Sequence, residues 1–298
     1  MPQQNRLMSG SASSRAERVT DVVAFHGEGP YWDDERGRLL LVDMLEGAVV
    51  ELGADLRPER HEYGGIAAVV RRRVSGGFVL AVEHGFRMLG EDLEPEAEAV
   101  AVLDDPAIRM NEGGCDPQGR LYVGTMAYDT TPGAGVLYRL DPDRSVHTVL
   151  TEVTISNGLQ WSADGATAFY NDTPTDRISR FAFDAVAGAF GERGTVATIE
   201  EGAGHPDGMA IDVEGGLWVA LWGGSAVRRY DQDGRLTAVV DLPCRNVTAC
   251  TFGGADRRTL YITTSRDGLP DGEVEAEAGS VFAVEPGVAG AVPYRWAG

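Results

Sequence analysis

Residues 205–222 read HPDGMAIDVEGGLWVALW, and the fold is decided by how this stretch is built. His205-Pro206-Asp207-Gly208 form a polar corner. An alternating run follows, with Met209, Ile211 and Val213 on one side and Ala210 and Asp212 on the other. Glu214-Gly215-Gly216 make a turn, and Leu217 to Trp222 form a second run rich in branched and aromatic residues. Period-two alternation on both sides of a Gly-containing turn is the pattern of a β-hairpin.

The hairpin recurs. Gly37–Asp43, Gly77–Val82, Gly119–Thr125, Gly165–Asn171, Gly215–Trp222 and Arg258–Thr264 each open on a turn and continue as an apolar strand. Each is followed by a further strand, such as Gly47–Leu52, Gly135–Asp141 or Arg177–Asp184. The turns return at intervals of roughly 40 to 50 residues, the span of a four-stranded propeller blade. One copy cannot bury both its faces, so the copies must stack on one another. No long helical pattern intervenes, which disfavours parallel α/β folds. The expectation is an all-β chain: a six-bladed β-propeller with four-stranded blades around a central channel. Residues 1–18 are expected to be a disordered N-terminal tail, and 19–298 a single propeller domain. Val19–Phe25 and Val292–Trp296 are candidate terminal strands, one of which could pair with the other to close the ring.

Composition narrows the function. The formal charge is −20 over 298 residues, which disfavours nucleic acid and anionic membrane as partners. Arg71-Arg72-Arg73 is the one basic run and reads as a solvated turn. All 26 basic residues are arginine, so Schiff-base chemistry and P-loop nucleotide binding are excluded. Three cysteines, Cys115, Cys244 and Cys250, are too few for a disulfide framework and read as buried free thiols. The first 18 residues lack the apolar core of a signal peptide, and no run approaches the length of a membrane span. A soluble, cytoplasmic protein is expected.

In a propeller the innermost strand of each blade lines the channel, so residues entering those strands converge on the axis. Counting back eight or nine residues from the turns gives Glu28, Asn111, Asn157 and Asp207, with Thr248 near the same place in the last copy. The second copy offers only Tyr63-Gly64-Gly65. Each of the four is followed at once, or after one residue, by glycine, which permits close backbone approach. Asp-Gly and Asn-Gly also make ordinary turns. Four at matching offsets favour a metal site instead. Two carboxylates and two amide oxygens suit Ca²⁺, Mg²⁺ or Mn²⁺, and Zn²⁺ is less natural without His or Cys.

These residues sit in segments that resemble a known family. Gly27-Glu28-Gly29-Pro30-Tyr31-Trp32, Arg109-Met110-Asn111-Glu112-Gly113, Asp116-Pro117-Gln118-Gly119-Arg120, Gly124-Thr125-Met126, Ser156-Asn157-Gly158-Leu159, Pro206-Asp207-Gly208 and Trp222-Gly223-Gly224 look like those of the regucalcin (senescence marker protein)/gluconolactonase family, in the family's order. The resemblance implies a six-bladed propeller that hydrolyses sugar-acid lactones with one divalent metal ion, Ca²⁺ first among them. It implies Glu28, Asn157 and Asp207 as metal ligands, and Arg109 and Asn111 as groups holding the substrate. A further acidic position of the family falls on Asp129, where the family more often has Glu.

The chemistry follows from these parts. The metal would act as a Lewis acid on the lactone carbonyl, and Asp207 would take the proton from the attacking water. Arg109 supplies planar donors and cannot be the base. His205 adjoins Asp207 but reads better as an orienting or solvent-facing residue, and His84 is unassigned. Trp161, Trp218 and Trp222 read as packing between blades, and Tyr128–Ala134 as a rim loop. Two other readings keep the fold: a non-catalytic calcium- or small-ligand-binding propeller, and an aryl-ester or phosphotriester hydrolase.

Overall fold

The computed structural model describes residues 12–298 except 97, 98, 270–272 and 274. Six antiparallel sheets are arranged as a six-bladed β-propeller. The innermost strands are Gly27–Asp33, Ala67–Arg72, Ile108–Cys115, Ser156–Trp161, His205–Ile211 and Val247–Gly253. Each runs into a hairpin with the strand that the repeats located: Arg38–Asp43, Phe78–Val82, Leu121–Ala127, Thr167–Asp172, Leu217–Trp222 and Thr259–Thr264. Among the described residues, the one helical element is a 3-10 turn at Thr173–Thr175, and no helix is long and apolar enough to cross a membrane.

The core lies between blades rather than at one centre. One buried cluster joins the first, second and third blades through Tyr31, Val42, Val69, Phe78 and Met110. Others stack Tyr122, Trp161, Tyr170 and Phe181, or Trp218, Cys250, Phe252 and Phe282. Both faces of most middle strands are therefore buried, and Leu39 to Val42 are fully so. Trp161 and Trp218 pack between blades as expected, whereas Trp222 is part-exposed beside His26 at the end of the channel where the inner strands begin. All three cysteines are free and buried.

Aspartates hold the turns after the inner strands of the third and fifth blades in the same way. Asp212 Oδ1 accepts from the Glu214 and Gly216 amides, and its Oδ2 accepts from Trp218 Nε1 at 2.8 Å and Arg229 Nε at 2.7 Å. Asp116 repeats the scheme with the Gln118 and Arg120 amides, Arg120 Nε and Tyr122 Oη. Asn at position 212 would turn an NH₂ toward two donors. Asp212→Asn is therefore expected to lose roughly 3 kcal/mol of stability, the scale of breaking one side of a buried charged network. A urea midpoint unchanged from that of the parent protein would contradict this.

The ends of the chain depart from the expectation. Glu17–Arg18 forms the outermost strand of the last blade, with Glu17 opposite Ala283. Ala12–Arg15 adds a fifth, parallel strand to the fifth blade, beside Leu236–Asp241. The ordered domain thus begins before residue 19, and residues 1–11 of the expected tail lie outside the described residues. Val19–Phe25 is not a strand. The chain bends there from the blade's outer edge back toward the axis, with the Val23 and Ala24 amides donating to the Gly279 carbonyl. Val292–Trp296 does not pair with it. That segment crosses the far end of the channel, bridging Arg73 to Trp296, whose buried ring reaches Leu140.

Arg71–Arg73 is not a solvated turn either. Arg72 is buried against Asp33 (3.1 Å) and Glu91 (2.9 Å), and Arg71 Nη2 donates to the Gly113 carbonyl. The acidic excess of the chain supplied partners that a local reading could not see.

Candidate active site

Every inner strand is interrupted at the same place. The register with its neighbour slips between Glu28 and Tyr31, Ala67 and Val69, Met110 and Gly113, Asn157 and Leu159, Pro206 and Met209, and Val247 and Cys250. A bulge puts two residues opposite one and re-aims side chains. Six bulges at one level make a ring of re-aimed residues around the axis. The ring includes Glu28, Asn111 with Glu112, Asn157, Asp207 and Thr248, all buried. The second blade contributes only Ala68, which is why its copy showed no polar candidate.

The glycines do the work expected of them. A Cβ on Gly158 would lie 2.7 Å from the Asp207 carbonyl oxygen, and one on Gly208 would meet Ala249 of the next blade. The blades can approach this closely only where no side chain follows the polar residue.

A directed hydrogen-bond chain orients the amides. Arg109 Nη1 donates to Asn111 Oδ1 at 2.7 Å, and arginine has no acceptor, so the Asn111 oxygen must face it. Asn111 Nδ2 then donates to Asn157 Oδ1 at 3.0 Å and to the Ser156 carbonyl at 2.8 Å. Asn157 Nδ2 donates to Thr173 Oγ1 (2.8 Å), which donates in turn to the Pro206 carbonyl (2.8 Å). Asn171 Nδ2 holds the Asp207 carbonyl at 2.7 Å. The chain crosses from the third blade to the fifth and leaves the Asn157 oxygen a free lone pair. Asn111 offers its donors in that direction, so it is a poor cation ligand.

Beside these amides sit three buried carboxylates. Glu28 Oε2 accepts from the Gly29 amide at 2.9 Å. Asp207 Oδ1 and Glu112 Oε2 are buried with no hydrogen-bond partner among the described residues. Burial pushes the Glu28 carboxyl up to about 7, against the opposing pull of Gly29 and Arg109. Burial raises Asp207 well above the usual carboxylate range, and the charges of Glu28 and Glu112 raise it further. Glu112 is raised in the same direction by burial and then by Glu28. A buried carboxylate without a partner is costly unless protonated or paired with a cation. Among the described residues, no three His, Cys, Asp or Glu side chains form a ready-made metal cage. Glu28, Asp207 and the Asn157 oxygen are instead a mixed, hard oxygen set that fits a cation such as Ca²⁺.

The other residues singled out from sequence play other parts. Asp129 lies on the exposed rim loop, where its Oδ1 accepts from the Thr131 amide and hydroxyl, and no hydrogen bond among the described residues joins it to the ring. Thr248 Oγ1 donates to the Gly27 carbonyl at 2.6 Å and ties the last blade to the first. His205 is exposed and pairs with Asp176. His84 is half-exposed beside Glu83 at the rim. His26 was not foreseen. It is buried two residues before Glu28, with Nδ1 2.7 Å from Ser265 Oγ, and burial followed by the charge of Arg109 lowers its pKa to about 3. Counting from the turns gives Asn111 and not Glu112, although the Glu-Gly pair at 112–113 repeats the one at 28–29.

Below the ring, a channel of about 450 Å³ runs from Glu112 toward the far end, past Cys115, Trp161 and Asp212 to the 291–294 segment.

Residues 26–266 match the family model described as SMP-30/Gluconolactonase/LRE-like region. The chain belongs to this family. A rabbit (Oryctolagus cuniculus) regucalcin is a relative 37% identical over 96% of this chain and 100% of its own length. A Bacillus subtilis (strain 168) protein named "Putative sugar lactone lactonase YvrE" is 33% identical, over 93% of this chain and 97% of its own. The crystal structure of a calcium-binding protein, regucalcin, from Agrobacterium tumefaciens str. C58 superposes with a TM-score of 0.87 at 27% identity, covering 97% of this chain and 99% of that one. The SMP-30/gluconolactonase match takes in all six inner strands, and with them the whole ring of bulges.

Proposed function

We propose that this chain is a divalent-metal-dependent hydrolase of a sugar-acid lactone, of the carboxylic-ester hydrolase type. The observation that carries this reading is the buried, unpartnered Oδ1 of Asp207 beside Glu28 and the oriented Asn157 oxygen. Family membership supports the lactone as substrate class.

Glu28, Asn157 and Asp207 would hold the cation, with Ca²⁺ the first choice and Mg²⁺, Mn²⁺ or Zn²⁺ alternatives. When bound, it supplies Lewis-acid polarisation of the lactone carbonyl. Asp207 takes the proton of the attacking water, and it returns that proton to the ring oxygen as the acyl C–O bond breaks. Arg109 uses Nη1 within the protein, which leaves Nε and Nη2 to donate to substrate oxygens. Asn111 fixes Arg109 and Asn157 in these orientations. Asp129, on the rim loop, would meet the substrate's outer hydroxyls only by turning from Thr131. The free thiols are consistent with a reducing, cytoplasmic setting.

The test is a pH-indicator screen of γ- and δ-lactones with each cation added to chelator-stripped protein. Acid release that needs a cation supports the proposal. Tight cation binding with no turnover of any lactone would replace it with the non-catalytic ligand-binding reading.

A further inference from the structure

We propose that Tyr128 is a positioning residue of the lactone site: it holds Arg109 in the orientation that presents its free guanidinium edge to substrate. This rests on the lactonase reading above.

Arg109 is buried, and every hydrogen bond it makes among the described residues runs through one nitrogen. Nη1 donates to Asn111 Oδ1, to the Met110 carbonyl at 3.1 Å and to Met44 Sδ at 3.2 Å. A planar group pinned at one atom still pivots, and a pivoting fork gives poor directional recognition. The Tyr128 ring supplies the second constraint, with its centroid 5.8 Å from the guanidinium carbon.

The ring must itself be held, because Tyr128 stands on a loop and is 46% exposed. Its amide donates to the Ala107 carbonyl at 3.0 Å, and its hydroxyl donates to Glu83 Oε1 at 2.6 Å. Glu83 belongs to the second blade's 83–84 turn and is anchored on both sides. Its amide donates to Ile66 O, and its carbonyl accepts from Met110 N. The hydroxyl remains a donor across the working range, since burial and then Glu83 push it up to about 12. Tyr128 thus latches the third blade's rim loop to the second blade over Arg109.

Steady-state kinetics on the best lactone of the screen test this. Tyr128→Ala is expected to raise KM about tenfold with kcat within about twofold, because the Arg109 contacts it weakens hold substrate and transition state alike. Tyr128→Phe keeps the ring face but loses the bond to Glu83, so it should recover only part of the loss. In an Arg109→Lys background Tyr128→Ala should add nothing further. An unchanged KM in Tyr128→Ala, or an equal effect in the Arg109→Lys background, overturns the proposal. The Arg109 Nε–H resonance gives a readout that needs no turnover. Slow exchange in the parent protein, lost in Tyr128→Ala and only partly kept in Tyr128→Phe, supports the latch, and exchange unaltered by Tyr128→Ala refutes it. If the parent protein opens no lactone, the lactonase reading fails while the resonance still decides the role of Tyr128.

Discussion

Asp207→Asn abolishes lactone opening, by at least about a thousandfold in kcat/KM, and does not unfold the protein. The amide keeps the shape of the side chain but cannot accept the water's proton. It would also remove one of the proposed anionic ligands. The fold should tolerate the change well. Asp207 Oδ1 has no hydrogen bond to lose, and the charge it removes is one that Glu28 and Glu112 repel. In cation-free protein at neutral pH the variant should therefore melt no lower than the parent, and higher if the repulsion is substantial. Initial rates with a pH indicator, read beside a thermal melt, separate the two effects. Full activity in a folded Asp207→Asn protein would remove Asp207 from the chemistry.

The second large effect is a coupling of cation, protons and stability. Glu28, Asp207 and Glu112 all have carboxyl pKa values raised in the folded state, chiefly by burial. The cation-free fold therefore holds protons that the unfolded chain has released once pH passes the ordinary carboxylate range. Stability is then fully present below about pH 4.5 and declines as pH rises toward and beyond about 7. A divalent cation replaces those protons, so its affinity should climb by about tenfold per pH unit for each proton displaced. Chelator-treated protein should melt lower near about pH 8 than near about pH 5.5, and Ca²⁺ should raise the melt strongly at the higher pH only. Calorimetric titration of Ca²⁺ at the two pH values checks the binding half. Affinity independent of pH would mean that the carboxylates are already ionised and otherwise satisfied.

Much of this was legible in the chain, for a physical reason. Hairpins report themselves through alternation and turn glycines, so the middle strands fell where the Gly-led repeats put them. The ring was legible because close blade contact favours glycine after its polar residues, as at Asn157-Gly158 and Asp207-Gly208. What stayed hidden depends on long-range partners. A bulge aims two neighbours inward, so Glu112 joined the ring although alternation would turn it away from Asn111. Asp129 has the right chemistry at the right offset, but Thr131 claims its carboxylate locally. Arg72 met Asp33 and Glu91 from other turns. The strands Ala12–Arg15 and Glu17–Arg18 are short and polar, and only the open edges of the last two blades make strands of them.

Those two N-terminal strands set the order in which the molecule can mature. Glu17 opposes Ala283, so Glu17–Arg18 cannot find its sheet until the chain as far as Ala283 has been made. Ala12–Arg15 waits likewise for Leu236–Asp241. Until Ala283 has been made, the nascent chain carries unfinished sheets, and the neighbours that should bury the first inner strand are not all present. The ring of bulges has no function in that interval, because its members come from blades that have not yet met. Under the proposed function, cation binding would thus arise with closure of the ring and not before it.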